Sequence, residues 1–221
     1  MNIKEHYEEK VPVYGMNKMR KKNILSLIPD SATSLLDIGC GSGELLEAVL
    51  QVRPQITERG GADISEIALQ KAGSFATDTY CFDFESEWPE SLTEKKYDVV
   101  VASEVIEHLF FPEKFFEQCK RVLSPGGVII ITTPNLLFWK NRLTMFFGKF
   151  EYTNGGLLDK GHVHFFTVST LRKMVEGAGY QIEQEHNFYP NLYTRGLNWL
   201  GDIFPGLFTF QMIFKLKKHE Q

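Results

Sequence analysis

Ser34-Leu35-Leu36-Asp37-Ile38-Gly39-Cys40-Gly41-Ser42-Gly43-Glu44-Leu45-Leu46 is the stretch that decides the fold. An apolar run passes into three glycines at alternate positions, Gly39, Gly41 and Gly43, and an amphipathic helical pattern follows at once. A strand that turns into a helix over glycines lets a ligand approach the backbone, because no Cβ stands in the way. The helix N-terminus then offers its first N–H groups to that ligand. The spacing predicts a nucleotide-type pocket at the carboxyl end of a strand in an α/β sheet.

The pattern continues outward in both directions. Upstream, residues 16–28 read as a helix. Downstream, a helix over 43–51 leads to a strand ending at Ala62-Asp63, a helix over 66–74 and a strand over 79–82. YDVVVA at 97–102 and VIIIT at 128–132 are apolar and β-branched, as strands covered on both faces are. A helix over 113–123, closed by Pro125-Gly126-Gly127, separates them. A helix over 169–177, a strand over 180–185 and a final strand over 210–216 complete the alternation. Strands alternating with helices predict a doubly wound, mostly parallel sheet. Residues 136–166 break the alternation as a cap rich in aromatics and lysine, and 188–208 form a late connection. Both are read as parts of a single domain spanning 1–221.

Composition narrows the function classes. Charged residues make up 24% and hydrophobic residues 43%, within the range of a soluble globular protein. The net charge of −4 gives no electrostatic case for a nucleic-acid partner. Cys40, Cys81 and Cys119 are scattered and lack metal-ligand spacing, which fits reduced thiols in a cytoplasmic protein. The polar start MNIKEHYEEK shows no signal peptide, and no apolar run approaches the roughly 18 residues of a membrane helix.

Two acids complete a groove for adenosine. Asp63 lies twenty positions after Gly43, where an acid accepts hydrogen bonds from both ribose hydroxyls. Asp83, in CFDF at the end of the third strand, suits the exocyclic amine of adenine. Plainer uses stand beside these. The glycines shape a tight turn, Asp63 with Ile64-Ser65 caps the next helix, and Asp83 sits in a surface loop. A nicotinamide dinucleotide is the rival ligand, with the fingerprint Gly-x-Gly-x-x-Gly. Here the third glycine comes one position early and Glu44 stands in the expected place. The Tyr-x-x-x-Lys pair of a short-chain dehydrogenase is found only as Tyr14/Lys18, upstream of the first strand.

The ordered set LLDIGCGSG, GADIS, CFDF, YDVVVASEVIEHL and LSPGGVIIITTPN resembles class I S-adenosylmethionine-dependent methyltransferases over roughly residues 30 to 187. The resemblance implies a Rossmann-like, seven-stranded sheet whose last strand runs antiparallel. It implies that Asp37 and the loop Gly39, Cys40, Gly41 and Gly43 face the methionine end of S-adenosylmethionine. Asp63 and Ile64 would hold the ribose, Asp83 and Phe84 would flank the adenine, and Ser103 and Glu104 would border the sulfonium. The product would be S-adenosylhomocysteine.

Methyl transfer from a sulfonium has a neutral leaving group, so acceleration rests on holding acceptor and methyl in line. A hydroxyl acceptor also benefits from a base. Glu104 and His108 share a face if the segment after the fourth strand is helical, and His108 can take a proton at neutral pH. The alternative for His108 is a histidine bonded inside the turn. His162 and His164 lie two apart in GHVHFFTVSTL, so an extended segment points both the same way. His162 is assigned to the pocket, and His164 to the entry of a helix capped by Thr167 or Ser169. Glu104, Glu107, His108 and His162 also resemble the metal site of small-RNA 3′-end ribose methyltransferases. EVIEHL is widespread in metal-independent members, so no metal is expected.

The acceptor is least defined. Residues 136–150, LLFWKNRLTMFFGKF, form an amphipathic lid, a membrane-touching segment or a helix on the sheet edge. Lys140 and Arg142 could meet an anionic acceptor group. Tyr189, Tyr193, Trp199, Phe204, Phe208 and Phe210 could line a sugar or ring-shaped acceptor, or form core and dimer contacts. Residues 141–180 resemble bacterial methyltransferases that accompany polysaccharide assembly. That resemblance implies O-methylation of a sugar or glycan precursor; a small-molecule or glycan acceptor and a monomer or homodimer are expected. A quinone-type O-methyltransferase is the alternative, with an RNA 3′-end ribose methyltransferase and a non-catalytic cofactor-binding partner behind it.

Overall fold

The computed structural model describes residues 15–189 and 198–219. Tyr14 and Tyr193 lie outside the described residues. The helices are α1 (Lys18–Leu27), α2 (Glu44–Val52), α3 (Glu66–Ala72), α4 (Glu90–Thr93), α5 (Pro112–Val122), α6 (Trp139–Phe146), α7 (Val168–Gly177), α8 (Asn198–Ile203) and α9 (Pro205–Phe208). The strands are β1 (Ser34–Ile38), β2 (Glu58–Asp63), β3 (Asp78–Cys81), β4 (Tyr97–Ser103), β5 (Leu123–Pro134), β6 (Tyr180–Glu185) and β7 (Gln211–Lys218). They form one seven-stranded sheet in the order β3-β2-β1-β4-β5-β7-β6. The pairs from β3 to β5 are parallel, and β7 runs antiparallel to both β5 and β6. This is the doubly wound, Rossmann-like architecture that the sequence implies.

Side-chain alternation builds two cores. Leu36, Ile38, Val100, Ile129 and Ile131 face α5 and α7, whose Phe115, Phe116, Leu171 and Val175 are buried against them. Leu35, Val99, Val101 and Ile130 face the opposite way, onto Ile24 of α1, Leu45 and Leu46 of α2 and Leu69 of α3. Each such side chain contributes about 1.5–3 kcal/mol by leaving water. The chain winds outward in both directions from β1 and β4. Their carboxyl ends therefore open a crevice at the switch point, where doubly wound sheets take ligands.

Element boundaries depart from expectation in three instructive places. Pro125-Gly126-Gly127 does not close a helix but lies within β5. Gly126 adopts φ +75°, and the pairing jumps from Tyr97–Leu123 to Val99–Val128, so the segment is a bulge. The stretch after β4 is not a regular helix. Glu104 has φ +57°, and only a single 3-10 turn, Ile106–His108, follows. The face-sharing argument for Glu104 and His108 therefore fails, although both reach the crevice by another route. Third, α6 carries no buried residue, so it is not a helix packed firmly along the sheet edge.

Candidate active site

The β1–α2 turn is built as its glycines require. Gly39 and Gly43 have φ +73° and +84°, and a Cβ at either would fall within 3 Å of Val105 or Ala72. Asp63, at the end of β2, organises the loop from the side. Its Oδ2 accepts from the Gly41 N–H at 2.9 Å and its Oδ1 from the Ser65 N–H at 2.9 Å. A carboxylate offers about four lone-pair sites, so acceptor capacity remains for two ribose hydroxyls. Burial raises the Asp63 pKa above the ordinary aspartate value, while the N–H donors of Ser65 and Gly41 pull it back. Ser65, not Asp63, caps α3, accepting from Ala68 N–H at 3.2 Å.

A cavity of about 460 Å³ opens at these strand ends. Gly39, Cys40, Gly41, Asp63, Ile64, Asp83, Phe84, Ser103, Glu104, His108 and His162 all line it. Asp37 and Gly43 do not. Asp37 shares the face of Leu35 on β1, so its side chain lies behind the loop at 1% exposure. Neither carboxylate oxygen finds a hydrogen-bond partner among the described residues. Burial, with the Asp63 charge, pushes the Asp37 pKa up to about 8. Gly43 serves as the α2 N-cap, packed on Ala72 and Phe75. Burial likewise raises the Cys40 thiol well above its ordinary value.

Sequence reasoning missed Arg20. The segment 15–20 crosses the cavity and is held there by Met16 N–H donating to Glu44 Oε2 at 2.7 Å. Arg20 Nη1 meets Glu104 Oε2 at 3.0 Å. The other Glu104 oxygen accepts from Thr132 Oγ1 and Gln211 Nε2, each at 2.9 Å. Glu104 is thus the fixed junction of β4, β5, β7 and α1, which fits a binding role better than a mobile base. The α1 sequence signals a helix but not which of its side chains meets the cavity.

The two histidines converge. His108 Nδ1 lies 2.9 Å from the Gly161 carbonyl, and His162 Nδ1 lies 3.2 Å from the Leu157 carbonyl. A carbonyl only accepts, so each Nδ1 carries the proton and Nε2 is the basic nitrogen of the neutral ring. The ring centroids stand 4.8 Å apart, edge to face. Burial and the neighbouring His162 lower the His108 pKa. Asp159, also missed, positions both: its Oδ1 accepts Gly161 N–H at 2.7 Å and its carbonyl accepts His162 N–H at 3.1 Å. His164 turns away, bonding the Phe110 carbonyl at 3.2 Å, and Thr167 supplies the capping box of α7.

Glu107 completes a cluster. Its ligand oxygen and one nitrogen from each of His108 and His162 lie within 4.8 Å of one another. Glu107 is 1% exposed, and neither oxygen makes a hydrogen bond of normal geometry. Burial, then the Glu104 charge, raises its pKa well above the ordinary glutamate value, against smaller opposing contributions from its own backbone N–H, Thr133 and Arg20. The sequence reading weighed Glu107 only as a metal ligand by resemblance and expected no metal. The geometry nonetheless assembles a donor set able to hold one.

Lys140 and Arg142 do not line the cavity. Arg142 instead donates to the carbonyls of Leu137 and Gly206 at 2.7 and 2.9 Å. From the C-terminal aromatic run only Phe210 reaches it among the described residues, joined by Phe188, Leu157 and Pro134 as an apolar wall. Tyr189 is buried and bonds Asp202 at 3.3 Å.

A model of the methyltransferase domain matches residues 7–185. The chain belongs to the methyltransferase domain family. This methyltransferase is 27% identical over 177 residues to the ubiquinone biosynthesis O-methyltransferase of Coxiella burnetii (strain RSA 331 / Henzerling II), covering 77% of the present chain and 73% of that one. A solved S-adenosylmethionine-dependent methyltransferase from Archaeoglobus fulgidus superposes with TM-score 0.65 at 21% identity, over 98% of this chain and 100% of that one. The small RNA methyltransferase HEN1 gives TM-score 0.68 at 23% identity, over 92% of this chain and 25% of its own. The methyltransferase uses S-adenosylmethionine as methyl donor, and the cavity fits that ligand through the spare acceptor capacity of Asp63 and the ring of Phe84. Among its described residues no helix is long and apolar enough to cross a membrane.

Proposed function

We propose that the methyltransferase transfers a methyl group to a hydroxyl oxygen of a small ring-shaped acceptor, with His108 as the proton acceptor. The observation that carries this reading is the pair of imidazoles, His108 and His162, each with Nε2 as its basic atom, in the same cavity lining as Ser103 and Glu104. S-adenosylmethionine supplies a methyl on a positively charged sulfur and leaves neutral, so no acid is required. The chain supplies the rest. Asp63 takes the ribose, Asp83 and Phe84 the adenine, and Arg20 the methionine carboxylate, as the lone permanent cation among the described lining residues. His108 Nε2 receives the hydroxyl proton, while His162 hydrogen-bonds the acceptor oxygen or its neighbour. The apolar wall of Leu157, Phe188 and Phe210 favours a phenolic ring over a sugar. The relatives named for ubiquinone biosynthesis support the same quinone-type acceptor. Isotope-labelled methyl transfer to matched phenols and sugars tests the reading. Labelled aryl ether is the expected product, and cofactor binding with no transfer to any hydroxyl acceptor overturns it.

A second reading is favoured by the Glu107–His108–His162 cluster. These three side chains would hold a divalent cation, which would lower the pKa of an acceptor hydroxyl by direct coordination. The backbone carbonyls on both Nδ1 atoms would fix the ligating tautomer. Equilibrium dialysis with manganese or zinc, on wild type and Glu107→Gln, reads this apart from activity. Wild-type binding lost in the variant supports the metal, and no binding together with transfer unaffected by EDTA removes it.

A further inference from the structure

Exposed large apolar side chains recur along two stretches, residues 143–152 and 199–204, which together form a collar. Phe146 and Phe147, at the end of α6, are 82% and 68% exposed. Phe150 and Tyr152 follow them, and Trp199, Ile203 and Phe204 project from α8 and its end. Arg142 Nη2 joins the two regions by donating to the Gly206 carbonyl at 2.9 Å. The collar adjoins the cavity lining along the chain: Pro134 precedes α6, Gly156 and Leu157 follow Phe150, and Phe210 and Gln211 follow α9.

We propose that this collar docks the methyltransferase on an anionic lipid surface, so that the acceptor enters the cavity from the bilayer. The inference rests on the ring-shaped, apolar acceptor proposed above. Three observations select lipid as the occupant. First, charge is segregated: the chain carries −4 overall, yet residues 139–152 hold Lys140, Arg142 and Lys149 against Glu151 alone. Among the described residues none of those three cations carries an ion pair, so their charge remains for phosphate headgroups. Second, α6 buries none of its residues, and its tip ends in Phe146-Phe147 followed by Gly148 at φ +71°. An exposed tip of adjacent aromatics suits a deformable phase, whereas a protein partner requires a shaped recess. Third, Lys140 and Trp139 stand together, with Nζ 5.7 Å from the ring centroid. Such amphipathic side chains settle at the headgroup level while Phe enters the acyl boundary.

Sedimentation of the full chain with phosphatidylcholine vesicles, with and without phosphatidylglycerol, tests the proposal. Binding is expected to require phosphatidylglycerol and to weaken as salt rises. Lys140→Gln with Lys149→Gln is expected to lower it on the order of 25-fold, from the usual contribution of each basic residue near such a surface. Phe146→Ser with Phe147→Ser is expected to lower it on the order of 100-fold. All four positions lie outside the cavity wall, so both variants keep the thermal shift given by S-adenosylhomocysteine and the transfer to a water-soluble phenol. That control separates failure of docking from failure of the acceptor reading. No binding to either vesicle, or equal binding by wild type and variants, overturns the proposal. So does a wild-type dimer that the Phe double variant dissociates while vesicles have no effect, since the collar is then a contact between copies.

Discussion

Asp63→Asn removes one negative charge at the centre of the cofactor groove while keeping the side-chain volume. In the folded protein this carboxylate already accepts the Gly41 and Ser65 N–H groups at 2.9 Å each. Under the proposed assignment its remaining lone pairs serve the ribose. Hydrogen bonds to a charged group are worth about 1.5–3 kcal/mol each, and the amide oxygen of asparagine retains part of that capacity. The expected net loss is about 2–3 kcal/mol, or about 30- to 150-fold in dissociation constant. Isothermal titration with S-adenosylhomocysteine measures it. A 2′-deoxy analogue separates the ribose contacts from the loop contacts. Losing the 2′-hydroxyl should weaken binding to wild type more than to Asp63→Asn, because part of the interaction is already gone in the variant. Unchanged affinity for S-adenosylhomocysteine, or losses that simply add, refutes the ribose assignment.

Three further outcomes follow from the same geometry. His108→Ala should lower turnover at least tenfold, the low side of the usual range for a general base, with S-adenosylhomocysteine affinity retained in titration. Equal turnover returns His108 to a structural role. Because burial and His162 lower the His108 pKa, its neutral form persists below the usual imidazole range near pH ~6.5. The acid limb of kcat should therefore lie below that range and move up in His162→Gln, and a pH–rate profile checks both. Asp37 is the stability probe. Its pKa rises from the ordinary 3.8 to about 8 on folding, so the folded state holds the proton more tightly. The stability linked to it is complete below pH 3.8 and is lost as pH rises through about 8; that gap corresponds to roughly 6 kcal/mol as an upper value. Urea unfolding of the cofactor-free chain should show Asp37→Asn flattening that fall, and an identical pH slope contradicts the burial argument.

Much of this was legible because local and global signals agree. SLLDI and YDVVVA are largely apolar on both faces, as central strands are, and both are central. The glycine turn and Asp63 follow from strand-to-helix geometry alone. The misreadings have local causes. Pro125-Gly126-Gly127 looks like a helix stop because a bulge with a left-handed glycine uses the same residues. The condition that the segment through Glu104 be helical fails because Glu104 takes φ +57°, and its contacts with Arg20, Thr132 and Gln211 come from three distant segments that the local sequence does not report. Asp37 could have been placed better: alternation with Leu35 puts it on a helix-covered face, behind the loop. Arg20 and Asp159 were invisible for a different reason. Each acts through tertiary approach, across the cavity or through the Gly161 backbone, and neither position has a periodicity that reports it.

A crystal structure of the chain with S-adenosylhomocysteine tests the central claim most directly. The account predicts ribose hydroxyls on Asp63, adenine against Phe84, the amino-acid carboxylate at Arg20 and the sulfur facing His108 and His162. A ligand bound in the reverse sense, or with its sulfur remote from both imidazoles, would contradict it.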